Sequence, residues 1–308
     1  MGTTRVVKVS QLLVLVLTGS ALLLGQAGGE EPRRIPYGAE ATSFGELRLP
    51  SGPGPFPVAV LIHGGCWLAS RGSVDGGMRS VATVLADRGI ATWNIEYRRA
   101  GHPGGGWPGS YHDLSSATDF VRTLAKNYPL DLTRVALVGH SSGGYFAGWV
   151  AGRRNLPAGS LLTSADPIPL VGLVVLDAFL DYRVIDSRGV DGRLFCDEPI
   201  VSRLFGGDPE TVPDHVRQAS PLALLPYAIP QEYVVSSRRY PVKPARPLAD
   251  GRTTLEVRDY PALAQAAGDR ITVHVVPDAE HFSFVNPTSP TWPAVEAAIV
   301  KVLNRPRK

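Results

Sequence analysis

Apolar positions along this chain follow two alternating rhythms. Val58-Ala59-Val60-Leu61-Ile62, Val135-Ala136-Leu137-Val138, Val171-Gly172-Leu173-Val174-Val175-Leu176 and Tyr233-Val234-Val235 are short unbroken runs. They have strand length and no polar face, as strands of a parallel sheet covered on both sides do. Between them, apolar residues recur three and four positions apart. Met78 to Arg88 carries Val81, Val84 and Leu85, and Asp113 to Asn127 carries Leu114, Ala117, Phe120, Val121 and Leu124. These read as helices, as do the residues after Ser142 and Ala294 to Leu303. Ile90 to Tyr97 and Ile271 to Val276 add strands, and Leu263 to Ala267 adds a short helix stopped by Gly268. Ile35 to Pro50 predicts one or two edge strands, with Phe44 to Leu49 alternating apolar and polar. Alternating strands and helices predict an α/β fold: a mostly parallel twisted sheet with helices on both faces. Residues 178–225 break the rhythm and read as a short helical cap over the strand ends.

Composition narrows the picture. Of 308 residues, 44% are apolar, enough for one sizeable core. Net charge is +3, and two of the positives, Arg5 and Lys8, fall in the first 29 residues. The remainder is nearly neutral, which offers no footprint for nucleic acid or an anionic membrane. Residues 1–29 have a basic start, an apolar run from Val9 to Leu24 and a small-residue site at Gly25-Gln26-Ala27. This is the pattern of a secretory signal, with a retained anchor as the alternative; residues 30–308 would then form the domain. An exported chain can join Cys66 to Cys196, though the sequence leaves that pairing open. Neither cysteine has metal-ligand spacing, so no metal or organic cofactor is expected.

Chemistry concentrates at Gly139-His140-Ser141-Ser142-Gly143-Gly144, between an apolar strand and a helix. Gly-x-Ser-x-Gly in that context is a nucleophile elbow: a serine at the tip of a sharp turn, flanked by residues small enough for strand and helix to meet. The helix beginning at Ser142 would point its free N–H groups where an anion forms. A second glycine loop, His63-Gly64-Gly65-Cys66-Trp67, ends the Val58–Ile62 strand and suits the other half of an oxyanion hole. A serine needs a histidine to take its proton, and the histidine needs a carboxylate. His281 follows the last strand by five residues and fits the Ser–acid–His chain order. His274 alternates with apolar neighbours and reads as structural; His215 falls in the cap and reads as a surface residue. Trp67, Tyr97, Trp107 and Tyr111 are candidates for the pocket wall.

These stretches, with Asn94 to Arg98, Ala219 to Ala223 and Pro277 to Pro287, resemble the α/β-hydrolases. More closely, they resemble bacterial feruloyl-esterase-like, arylformamidase-like and prolyl-oligopeptidase-like serine hydrolases. The likeness spans roughly residues 35–305. It implies Ser141 as nucleophile, His281 as general base and the N–H groups of Gly65, Cys66 and Ser142 as oxyanion donors. The acid departs from the pattern. The family's His-Gly-x-x-Asp motif is replaced after Val235 by Ser236-Ser237-Arg238-Arg239 and a proline-rich stretch. Alignment by the downstream helix implies Asp250, with Asp259, Glu256 and Asp177 as alternatives; Asp278 lies too near His281 in sequence. The expectation is a secreted serine hydrolase cleaving a small ester or amide through an acyl-enzyme. An amidase or exopeptidase, or a non-catalytic binding protein that has lost its acid, are the alternatives.

Overall fold

Eight strands form one sheet in the order β1-β2-β4-β3-β5-β6-β7-β8. The computed structural model describes residues 1–2, 31–186, 195–240 and 260–304. The strands are β1 (Arg33–Pro36), β2 (Phe44–Arg48), β3 (Phe56–Ile62), β4 (Ala91–Ile95), β5 (Leu130–His140), β6 (Gly172–Leu176), β7 (Gln231–Ser236) and β8 (Ile271–Val276). β1 and β2 pair antiparallel, and β2 meets β4 antiparallel. The other pairings are parallel, with β5 in the interior between β3 and β6.

The unbroken apolar runs have a direct structural cause. Val58, Val60, Ile62, Leu137, Val175 and Val235 face one helical layer, while Ala59, Leu61, Val138, Val174 and Val234 face the other. The first layer holds α2 (Gly109–Asp119), α3 (Val121–Leu124) and α4 (Ser142–Gly152), and the second holds α1 (Gly77–Asp87). α5 (Tyr182–Asp186), α6 (Ile200–Phe205) and α7 (Pro213–Ala219) are short helices between β6 and β7. α8 (Tyr260–Ala266) precedes β8, and α9 (Trp292–Leu303) completes the second layer.

Two elements differ from the sequence reading. The alternation in Phe44–Leu49 suggested a wet face, yet all of β2 is buried. Glu46 tolerates this because the Arg79 guanidinium of α1 donates to it, with Nε at 3.0 Å. The segment expected as one helix from Asp113 to Asn127 starts earlier, at Gly109, and breaks at Phe120. There the Trp93 indole N–H donates to the Ala117 carbonyl at 2.8 Å, and the ladder restarts in α3.

Sheet register sets the site. Gly139 of β5 lies opposite Ile62 of β3, and His140 opposite Leu176 of β6. Leu176 lies opposite Val234 of β7, and Ser236 opposite Val276 of β8. The carboxyl ends of β3, β5, β6, β7 and β8 therefore finish along one edge, where ligands of open α/β sheets bind.

Candidate active site

Ser141 is the first residue after β5. Its N–H donates to Leu176 O at 3.0 Å, and its φ of 56° lies in the left-handed region, a strained conformation for serine. The neighbours make this turn feasible. A Cβ on Gly143 would sit 2.1 Å from Ile62 O, so α4 can press against the end of β3 only with glycine there. α4 starts at Ser142, and its first N–H groups have no intrahelical acceptor.

Three side chains from three strand ends meet here. Ser141 Oγ lies 3.0 Å from His281 Nε2, and His281 Nδ1 lies 2.6 Å from Asp177 Oδ2. A carboxylate can only accept, so Nδ1 carries the ring proton and Nε2 presents its lone pair to the serine hydroxyl. Asp177 is the residue after β6 and is fully buried. Its Oδ1 accepts the Ser236 N–H at 3.0 Å and the Ser236 hydroxyl at 2.9 Å; its Oδ2 also accepts from Arg239 Nε at 3.0 Å. Burial alone would raise its pKa. The His281 hydrogen bond, the Arg239 charge and the Ser236 N–H outweigh burial and hold the carboxylate below the usual range.

The acid expected from the resemblance was Asp250. It lies outside the described residues, as do its rivals Glu256 and Asp259. The carboxylate that stands against His281 Nδ1 is Asp177, named in the sequence only as an alternative. A single aspartate after an apolar strand has no local signature; the one available cue was its place at the carboxyl end of a central strand.

His140 was not singled out by sequence reasoning. It is buried, its ring lies 4.6 Å from that of His281, and its Nε2–H donates to the His281 carbonyl at 2.9 Å. Burial first, and the neighbouring His281 second, push its pKa down to about 3, so it stays neutral.

The other predicted residues occupy varied places. Gly64 runs beside the elbow: a Cβ there would lie 2.9 Å from Ser141 Cβ. Gly65 follows at φ 128° and Cys66 at φ 54°, so the loop turns sharply next to the serine. Gly65 must be glycine on spatial grounds too, because its Cβ would lie 2.2 Å from Arg71 O. Buried Glu96 anchors this loop, accepting from the Val74 N–H at 3.1 Å and lying 3.0 Å from His63 Nε2. Cys66 is bonded to Cys196, just ahead of α6, closing the pairing that the sequence left open.

Tyr97, expected in the pocket wall, has no accessible surface. Its hydroxyl donates to His63 O at 2.8 Å and its ring stacks on His63, so it supports the glycine loop from beneath. Tyr111 is equally buried, edge-on to Phe146 and Trp149. Trp67 is almost covered and meets Tyr145 edge-on. Trp107 is half-buried and stacks on His215 of α7 with ring centroids 4.3 Å apart, bracing the glycine-rich loop against the short helices. The exposed aromatic beside His281 is Phe282, 74% accessible, its ring 5.1 Å from that of His281.

A mostly parallel eight-stranded sheet with this β5–α4 elbow is the α/β-hydrolase fold. The chain belongs, more narrowly, to the BD-FAE family, whose model matches residues 47–237. Among solved structures, a truncated carbohydrate esterase from gut microbiota superposes with a TM-score of 0.68 at 17% identity, covering 91% of this chain and 99% of the other. Esterase B from Lactobacillus rhamnosis superposes with a TM-score of 0.69 at 17% identity over 90% of this chain and 84% of its own. A bacterial heroin esterase gives 0.64 at 23% identity over 90% and 86%. Comparison with curated proteins finds none that matches.

Proposed function

We propose that the protein is an exported serine esterase acting on a small carboxylic ester. The observation that carries this reading is the unbroken chain from Ser141 Oγ through both ring nitrogens of His281 to Asp177, at 3.0 and 2.6 Å. In this reading His281 Nε2 takes the serine proton as Oγ attacks the ester carbonyl. Asp177 holds the ring in the required tautomer and stabilises the imidazolium. The tetrahedral oxyanion is held by the N–H groups of Ser142 and of Gly65 and Cys66. Collapse expels the alcohol, which receives the proton from His281, and water then releases the acid by the same route. Phe282 beside His281 borders the side from which the alcohol departs.

Ester rather than amide is favoured by the structural neighbours described as esterases. Export is favoured by the signal-like pattern of residues 1–29 and agrees with the Cys66–Cys196 bond.

A fluorophosphonate probe followed by peptide mapping, alongside p-nitrophenyl acetate hydrolysis, tests this reading. The label should fall on Ser141, and Ser141→Ala should lose both label and turnover while remaining folded. Turnover that survives Ser141→Ala would overturn it.

A further inference from the structure

The end of β7, from which the family pattern expects an acid, instead supplies the groups that grip Asp177. Ser236 holds Oδ1 with two neutral donors. Arg239 brings a full positive charge to Oδ2, the same oxygen that His281 Nδ1 faces. We infer that Arg239 is a positioning residue of the His281–Asp177 pair: its guanidinium fixes the carboxylate toward the imidazole and offsets part of the negative charge that the ring faces. The inference rests on the triad reading above.

The physical argument is one of charge. A bare buried carboxylate strongly favours imidazolium over imidazole beside it. A guanidinium on the same oxygen cancels part of that field, so a second proton on His281 gains less. The Arg239 side chain is 24% exposed, so solvent screens the effect. Its guanidinium also lies 4.9 Å from the centroid of the Phe179 ring, which helps to fix it in place.

Other groups near the pair contribute less net charge. His140, at the end of β5, is neutral. Arg238, next to Arg239, is neutralised by Glu280 at 2.7 Å, both being well exposed. Asp278, in the loop leading to His281, is exposed, so solvent screens its carboxylate. Among the described residues, Arg239 is therefore the cation that acts directly on Asp177.

The test is an NMR titration of the His281 ring in the wild-type chain, Arg239→Gln and Arg239→Lys, with pH–rate profiles taken in parallel. Arg239→Gln should move the ring's midpoint upward by about one pH unit, a ~10-fold change in proton affinity. The acidic limb of kcat/KM should move with it, leaving KM nearly unchanged. Arg239→Lys restores a cation and should recover most of the shift; if the glutamine variant folds poorly, Arg239→Met removes the charge while keeping an apolar stem against Phe179 and should show the same upward shift. An unmoved midpoint in Arg239→Gln, or a lysine variant that titrates like the glutamine variant, would overturn the inference. The ring titration needs no turnover. A wild-type chain that neither hydrolyses esters nor takes the fluorophosphonate would count against the esterase reading and leave this result standing by itself.

Discussion

His140 is buried against His281 just ahead of the elbow serine. It occupies the variable position of Gly-x-Ser-x-Gly, where the pattern carries no information about identity. The fold buries it against His281 and uses its Nε2–H to hold the His281 main chain. Its pKa falls from 6.5 to about 3, so the folded protein refuses a proton that the unfolded chain accepts. A depressed pKa gives stability that is complete above the unfolded value and is lost as pH falls toward the folded one. Between pH 6.5 and about 3 this residue should therefore cost up to about 1.4 kcal/mol of stability per pH unit of acidification. Urea unfolding of wild type and His140→Gln at pH 6.5 and 4.5 checks this. The variant should lose less stability across the interval, even if it starts lower. Parallel losses would show that His140 titrates normally.

At the scale of elements, the disulfide joins the loop after β3 to the segment leading into α6, across a sequence separation of 130 residues. A bond closing so long a loop restricts the unfolded chain and typically contributes 2–4 kcal/mol, about the middle of the general range. Replacing both cysteines with serine should lower the free energy of unfolding measured in urea by a comparable amount. It should also slow ester turnover, because Cys66 belongs to the loop that flanks Ser141. A double variant as stable and active as wild type would mean that the hydrophobic contacts alone hold that loop. The same scale explains which parts were legible in the sequence. The interior strands β3, β5 and β6 were visible because burial on both faces leaves an unbroken apolar run. Ser141 and His281 were visible because local glycines and chain order mark them. Asp177 became identifiable only when β6 was laid beside β5 and β7, since its role depends on register between distant segments. Tyr97 was a candidate for the pocket wall, but its side chain turns inward under His63. The break at Phe120 was hidden because the apolar spacing runs through it without interruption.

On the scale of the whole molecule, the parallel sheet brings Ser141, Asp177 and His281 to one edge from β5, β6 and the loop after β8. Five aligned strand ends offer more than one place from which a carboxylate can reach the same imidazole. Here the end of β6 provides it, and the end of β7 provides its hydrogen-bond donors and counter-charge. That division accounts for an arginine-bearing strand end where the family pattern has an acid. It makes the assignment of the acid the central claim of the account. The most direct test is kcat/KM for a small p-nitrophenyl ester in Asp177→Asn and Asp250→Asn, each compared with wild type. The account predicts that Asp177→Asn loses about 10⁴-fold, the cost of a wrong histidine tautomer, while Asp250→Asn stays near the wild-type rate. A collapse in Asp250→Asn with Asp177→Asn nearly unaffected would contradict it.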